Sequence, residues 1–437
     1  MEMVNTCSIA QVNEDEFIST LNRFLLPSSP IRREELLRGR GTQLDDIKKA
    51  LACSGRHVFV HGDRGVGKTS VAQTAAYLYQ STDGDPVLVG CDAGMSFYTL
   101  AKSIADNLVK SDPTLKKRVS SYGAKAGGKY LSVEMATSLE KGEVPTPTSV
   151  DAAVALIRFA ASAHSRSPVV VVDEFERMTS LEDKALFGDF VKQISDQSVP
   201  IKLILCGVGE SLTDLLGEHE SCFRYLASIF LPRLGITPLM EIVEAAAVAL
   251  GVEIDDYFLR RMAMISDGFP HYIHLIGIEL FWSLFNDEDV PTKVAGKHFG
   301  KAINEAVNNV EPHLKKIYEQ ATQKYNDDYE YVLWALAYHS DPERRSTEVY
   351  ESLGEIMEQL GLPQLDRGKF NNRMNMLKRK AHGEILTGSR TGWYRFREPV
   401  VRGYCRLRAD RAGVVLDRSH AFDSAGALPP PRLKQLE

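Results

Sequence analysis

Gly62-Asp63-Arg64-Gly65-Val66-Gly67-Lys68-Thr69, with Ser70 next in line, follows the pattern G-x-x-x-x-G-K-[ST]. Each fixed position has a chemical reason. Glycines let successive main-chain N–H groups fold around phosphate oxygens, and the helix opening at Lys68 presents a dipole favourable to an anion. Asp63, Arg64, Val66 and Ser70 complete the loop that supplies those donors. Lys68 has the reach for the β- and γ-phosphates of ATP, and the Thr69 hydroxyl is an oxygen ligand suited to Mg2+. Further along, Val169-Val170-Val171-Val172 runs into Asp173-Glu174. A continuous apolar run of this length suits a strand buried on both faces, and acids at its C-terminal end face the ligand crevice of a parallel sheet. Asp173 is expected to hold the Mg2+ shell and Glu174 to orient the attacking water, because phosphoryl transfer rests on positioning and charge neutralisation.

These groups need a scaffold, and the sequence outlines one. Short β-branched runs at His57–His61, Pro86–Cys91, Val169–Asp173 and Ile201–Cys206 alternate with helical patterns at Lys68–Gln80, Phe97–Val109, Val150–Ser162 and Leu181–Ile194. Strands alternating with helices predict a parallel α/β sheet over residues 36–235, preceded by an N-terminal arm, 1–35, that holds the turn-like Pro27-Ser28-Ser29-Pro30. Residues 110–148 interrupt the alternation with a Gly-, Ser-, Thr- and Lys-rich insertion. Its Lys116, Lys117, Arg118, Lys125 and Lys129 suit either the lining of a channel in an assembly or a solvated loop. Residues 236–325 keep helical periodicity throughout, as in Leu239, Ile242, Val243, Ala246 and Ala247, and predict an all-helical domain. Residues 326–411 read as two or three short helices ending in a hairpin, the pattern of a winged helix, and the proline-containing tail 412–437 reads as disordered.

Composition narrows the class. With 437 residues, 44% hydrophobic and 25% charged, the chain is long enough for several domains and unlike collagenous, disordered or membrane proteins. Its net charge of −6 excludes a general polycation. Six scattered cysteines without a C-x-x-C pair fit free thiols in a reducing compartment. The N-terminus lacks the pattern of a signal peptide, and the apolar stretch Tyr272–Phe285 is too short for a span, so a cytoplasmic location without membrane contact is expected.

Residues 36–310 resemble the AAA+ ATPases, in particular the group of origin-recognition initiators, TniB/TnsC-like transposition ATPases and STAND signalling ATPases. The resemblance implies an α/β P-loop fold with a helical lid, ATP hydrolysis and oligomerisation. Leu37-Arg38-Gly39-Arg40 resembles the element that lies against adenine, although Arg38 and Gly41 replace its usual valine and acidic residue. Cys206 falls where the group has its sensor-1 polar residue, and a core thiol is the alternative. The segment Ser221-Cys222-Phe223-Arg224 to Arg233 resembles the box with a trans-acting arginine, Arg224 being the first choice and Arg233 the second, with an ordinary surface pair as the alternative. Gly268-Phe269-Pro270-His271 resembles the start of the sensor-2 helix, with His271 in place of the usual arginine; contact with nucleotide and a local hydrogen bond are the two readings.

Within residues 361–411, thirteen Lys/Arg stand against four Asp/Glu, a local charge of +9 that leaves −15 for the remainder. Such asymmetry is an electrostatic footprint of nucleic-acid binding. The expected reader is the helix carrying Asn371, Asn372, Arg373, Lys378 and Arg379, with Arg390 and Arg395 on the wing, against double-stranded DNA. Phe370, Met374, Leu377 and Ala381 form the apolar stripe of that segment. The resemblance leaves two functions open. One is an ATP-driven switch that oligomerises and engages DNA; the other is a STAND-like regulatory ATPase whose C-terminal module binds protein.

Overall fold

Central strands buried along most of their length set the architecture of the phosphate-loop half of the chain. The computed structural model describes residues 8–110, 143–209, 220–322, 326–388 and 390–417. Most of the 110–148 insertion, including Lys116, Lys117, Arg118, Lys125 and Lys129, and most of the 412–437 tail lie outside the described residues. The chain divides into two units, Pro30–Pro232 and Met1–Ser29 together with Arg233–Glu437.

In the Pro30–Pro232 unit, β1 (His57–Gly62), β2 (Val87–Gly90), β3 (Val169–Asp173), β4 (Lys202–Val208) and β5 (Leu226–Phe230) form a five-stranded sheet in the order β2-β3-β4-β1-β5. Every pairing is parallel, with Val60 opposite Cys206 on β4 and Ile229 on β5. All C-terminal strand ends therefore share one edge, which brings the end of β1 and the end of β3 to the same crevice. The helices Gly41–Ala52, Lys68–Tyr79, Phe97–Lys110, Val150–His164 and Leu181–Asp196 cover this sheet. Phe97, Phe175, Phe187 and Phe190 fill the core beside β3. Sequence periodicity does not predict β5. It is a five-residue edge strand with only Leu226 and Ile229 buried, so it lacks the long apolar run of β3.

The other unit begins with the helix Glu14–Phe24, closed by a capping box between Asn13 and Glu16. Its Phe17 is fully buried, stacked on Phe285 at 4.3 Å and edge-on to Trp282 at 4.9 Å. The helices Ile236–Leu250, Asp256–Ser266, Pro270–Phe285, Gly296–Asn309 and Pro312–Thr322 follow, and Leu239, Ile242, Val243, Ala246 and Ala247 are all buried. Next come the helix Asp328–Leu336, β6 (Glu343–Arg345), the helices Ser346–Leu360 and Arg367–Met376, β7 (Leu386–Thr387), β8 (Trp393–Phe396) and the helix Val401–Arg411. The three strands make an antiparallel sheet in the order β6-β8-β7. Phe370, Met374 and Leu377 are buried as their spacing predicts. Ala381 is not. The helix stops at Met376, so the stripe loses its period and His382 is buried instead.

The helix Val401–Arg411 is held by ion pairs. Asp267, in the left-handed region at φ 50°, accepts from Arg233 Nη1 at 2.9 Å and from Arg402 Nε at 2.9 Å. Arg402 also donates to the carbonyls of His339 and Asp341, and Arg406 donates to that of Ala337 at 2.7 Å. A Cβ on Gly403 would lie 2.2 Å from the Tyr272 ring, so this position requires glycine for close helix packing. Among the described residues, no helix is long and apolar enough to cross a membrane.

His57 at the root of β1 accepts the Leu203 N–H at its Nδ1 (3.1 Å), and burial, aided by Lys202, pushes its pKa down to about 3. Below pH 6.5 the unfolded chain binds a proton that the folded ring refuses, so stability falls with pH. The limiting slope is about 1.4 kcal/mol per pH unit and extends down to the folded pKa. Thermal unfolding at pH 7.5, 6 and 5 should show this loss, and His57→Asn, which keeps an acceptor but does not titrate, should flatten it.

Candidate nucleotide-binding site

The loop between β1 and the helix Lys68–Tyr79 takes its shape from glycines at positive φ: Gly62 at 149°, Gly65 at 85° and Gly67 at 94°. At Gly62 a Cβ would sit 2.5 Å from the Leu231 carbonyl oxygen, where the chain leaving β5 passes and Leu231 N–H donates to His61 O at 2.7 Å. Arg64 and Gly65 are exposed, Asp63 is half-buried and Val66 is buried.

Lys68 is 9% exposed, and its Nζ donates to the carbonyls of Gly62 (3.2 Å) and Asp63 (2.8 Å). Burial lowers its pKa, opposed by the charges of Glu176, Asp173 and Asp63. An ammonium bonded to neutral carbonyls retains its full charge for an anion. Thr69 Oγ1 donates to Asp173 Oδ2 at 2.7 Å, which joins the start of the loop helix to the end of β3. Asp173 Oδ1 accepts from the Glu174 N–H at 2.9 Å. Glu174 itself sits at φ 55°, and its carboxylate pairs with Arg177 at 3.0 Å on a half-exposed surface. The Ser70 hydroxyl accepts from the Ile31 N–H at 3.1 Å.

Two contributors escape sequence reasoning. Arg40 is 3% exposed and donates from Nη2 to the Val66 carbonyl at 2.9 Å, and burial draws its pKa down to about 10. The end of the segment expected near adenine thus braces the loop itself. Glu176 accepts the Val208 N–H at 3.1 Å, fastening the segment after β3 to the end of β4. Neither partner is local in sequence, so the only signal was the cluster of acids in Asp173-Glu174-Phe175-Glu176.

The remaining expected residues have partners of their own. Cys206 is buried with its Sγ 3.8 Å from the Lys68 carbonyl, and burial pushes its thiol well above the ordinary range. Arg224 is exposed, lies over the Tyr225 ring at 4.6 Å and donates to its hydroxyl, which in turn donates to Asp196. Arg233 is engaged with Asp267. His271 donates from Nδ1 to the Pro27 carbonyl at 3.1 Å, and both residues belong to the second unit. In the C-terminal segment, ion pairs engage Arg373 with Asp328, Arg397 with Glu384, Arg402 with Asp267 and Arg408 with Glu330. The +9 counted along the sequence therefore overstates the charge offered to solvent. Arg379, Arg390 and Arg395 are exposed and Lys378 is half-buried over Tyr394, while Arg390 and Arg345 flank Trp393 at 3.8 and 5.0 Å.

The Arg40 brace yields a test. Arg40→Met keeps most of the apolar stem but leaves the Val66 carbonyl without its buried donor, which costs about 1–3 kcal/mol. Urea unfolding of the variant should show an unfolding free energy lower by that amount, with nucleotide affinity reduced in parallel because the loop loses its brace.

Residues 36–204 match the family profile described as AAA ATPase domain. No curated protein matches the sequence. Among solved structures the chain is similar to the Walker-type ATPase of Pyrococcus abyssi, at 15% identity and a TM-score of 0.51, over 87% of this chain and 99% of that one. It also matches Cdc6p from Pyrobaculum aerophilum, at 16% identity and a TM-score of 0.43 over 92% and 98% of the two chains. A further match is the ORC2 protein of Aeropyrum pernix, at 13% identity and a TM-score of 0.43 over 89% and 98%. The parallel sheet and the likeness to the Pyrococcus protein give the Pro30–Pro232 unit a P-loop α/β fold, within which residues 36–204 are similar to the AAA ATPase domain.

Proposed function

We propose that the protein binds and hydrolyses Mg2+-ATP as an AAA+ switch and engages double-stranded DNA through its C-terminal module. The observation that carries the reading is the 2.7 Å contact between Thr69 Oγ1 and Asp173 Oδ2 beside an ammonium bonded to the loop's carbonyls. A hydroxyl and a carboxylate are the hard oxygen donors that Mg2+ takes alongside phosphate and water. Bound there, the ion would neutralise phosphate charge. Lys68 then exchanges its carbonyl partners for phosphate oxygens, and the loop's N–H groups bind the same anion. Glu174, once released from Arg177, orients water toward the terminal phosphate. That exposed pair is weak, so its release costs little. Arg224, exposed and unburdened by burial, is suited to reach the site of a neighbouring copy in a homo-oligomer.

The order of helix, β6, two helices and the β7–β8 hairpin supports a winged helix. Its exposed Arg379, Arg390 and Arg395, with Lys378, suit phosphate contacts that give affinity more than sequence choice. The internal pairing of Arg373, Arg397, Arg402 and Arg408 favours a second reading, in which this module binds protein as in STAND-like regulators.

Lys68→Ala should weaken ATP binding by roughly 100-fold or more, whereas Glu174→Gln should bind within a few-fold of the natural chain and lose most of its turnover. Equal turnover in the second variant would remove Glu174 from the mechanism. Arg379→Glu with Arg390→Glu should lower affinity for a DNA duplex and reduce the slope of log K against log salt by about 0.9 per lost contact. A duplex affinity indifferent to these changes and to salt would favour the protein-binding reading.

A further inference from the structure

The chain passes between the two units at Ser29–Pro30, and both sides of that crossing are fastened to helices. On one side, three consecutive residues lie along one face of the helix Pro270–Phe285. Leu25 occupies the space that a side chain at Gly277 would take, since a Cβ there would be 3.1 Å from Leu25 Cδ1. Leu26 N–H donates to His274 Nδ1 at 3.2 Å, and the Pro27 carbonyl accepts from His271 Nδ1 at 3.1 Å. Residues 271, 274 and 277 are spaced three apart, so each strap residue meets one turn of the helix. Nδ1 therefore carries a hydrogen on His271 and none on His274. Burial keeps His274 neutral, with its pKa drawn down to about 4. The preceding helix is secured in the same unit by Phe17 between Trp282 and Phe285.

On the other side, the chain is fastened to the helix that opens at Lys68. Ile31 N–H donates to Ser70 Oγ at 3.1 Å, Thr74 Oγ1 donates to the Ile31 carbonyl at 3.0 Å, and Arg32 Nε donates to Gln73 Oε1 at 3.1 Å. Only Ser28, Ser29 and Pro30 separate the two sets of anchors. Prolines at positions 27 and 30 fix φ at both ends of this link and restrict the residues before them, so the link is short and stiff.

We propose that residues 25–32 are a strap that transmits nucleotide binding from the phosphate-loop helix to the helix Pro270–Phe285, with His271 and His274 as its positioning residues. The inference rests on the reading of the loop as a nucleotide site. His271 acts here through its bond to Pro27 rather than as a phosphate ligand. A displacement of the helix N-terminus at Lys68, Thr69 and Ser70 is carried by Ile31 and Arg32 into the link, and from it to the carbonyl and N–H held by the histidines.

The test is a ten-residue Gly/Ser insertion between Ser28 and Ser29, which keeps every anchor and removes only the stiffness of the link. Hydrogen exchange of the segment Phe269–Gly277 is followed in the full-length chain with and without Mg2+-ATP, next to a direct measurement of the ATP Kd. In the natural chain ATP should slow exchange in this segment. In the insertion variant that protection should fall by more than half, with the Kd within about threefold of the natural value. Thr74→Val, which frees the Ile31 carbonyl without changing the link, should lower the protection in the same direction. Full protection in the insertion variant, or ATP binding to the natural chain without any change over Phe269–Gly277, would overturn the strap. Failure of the natural chain to bind ATP at all would overturn the nucleotide reading as well, and the separate Kd measurement distinguishes the two.

Discussion

The buried ammonium of Lys68 is the constraint around which the Pro30–Pro232 unit is organised. A lysine that is 9% exposed pays a desolvation cost that its two carbonyl partners and the charges of Glu176, Asp173 and Asp63 do not fully return. An anion with several oxygens, as in the proposed function, would return it. The shape of the loop depends on main-chain approaches that tolerate no side chain, above all Gly62 against the Leu231 carbonyl. It depends also on a second buried cation, Arg40, spent on holding the Val66 carbonyl in place. The parallel sheet supplies the remaining requirement by delivering Asp173 to the same edge as Thr69.

How legible this was depends on whether the determinants are local. The strand Val169–Asp173 has the bounds its sequence suggests, and the helix after the loop runs Lys68–Tyr79, because four valines and a run of alanine-rich turns each specify one state without outside help. By contrast, β5 is an edge strand with two buried residues, and β6 has three residues of which only Arg344 is buried. The helix Val401–Arg411 hides for a related reason. Its inward face carries Arg402 and Arg406, which read as surface residues until Asp267 and a set of carbonyls are seen to receive them. Charge counts along the chain suffer from the same defect, since they register cations but not the acids that neutralise them. Arg40 and Glu176 could not have been assigned from local pattern, because each acts on a main-chain group distant in sequence.

The second unit shows how a module rich in charge is held together. Buried ion pairs gain little over apolar packing once desolvation is counted, but they demand specific geometry. Asp267 receives two guanidinium groups at 2.9 Å from a strained turn, and Asp410 receives Arg261 at 2.7 Å. Apolar contacts such as Tyr272 against Gly403 then fix the distance between helices that these pairs orient. The outcome is a set of helices whose relative placement is specified by charge, and whose histidines hold the chain just before it enters the P-loop unit.

The proposed role of the loop is to bind the phosphates of a nucleotide with Mg2+ at Thr69 and Asp173. Equilibrium titration of the natural chain with ATP, ADP, AMP and adenosine, each with and without Mg2+, tests it most directly. Affinity should rise with the β- and γ-phosphates, Mg2+ should strengthen ATP binding, and adenosine should bind at least 100-fold more weakly than ATP, about 2.7 kcal/mol. Adenosine binding as tightly as ATP, or ATP binding indifferent to Mg2+, would contradict it.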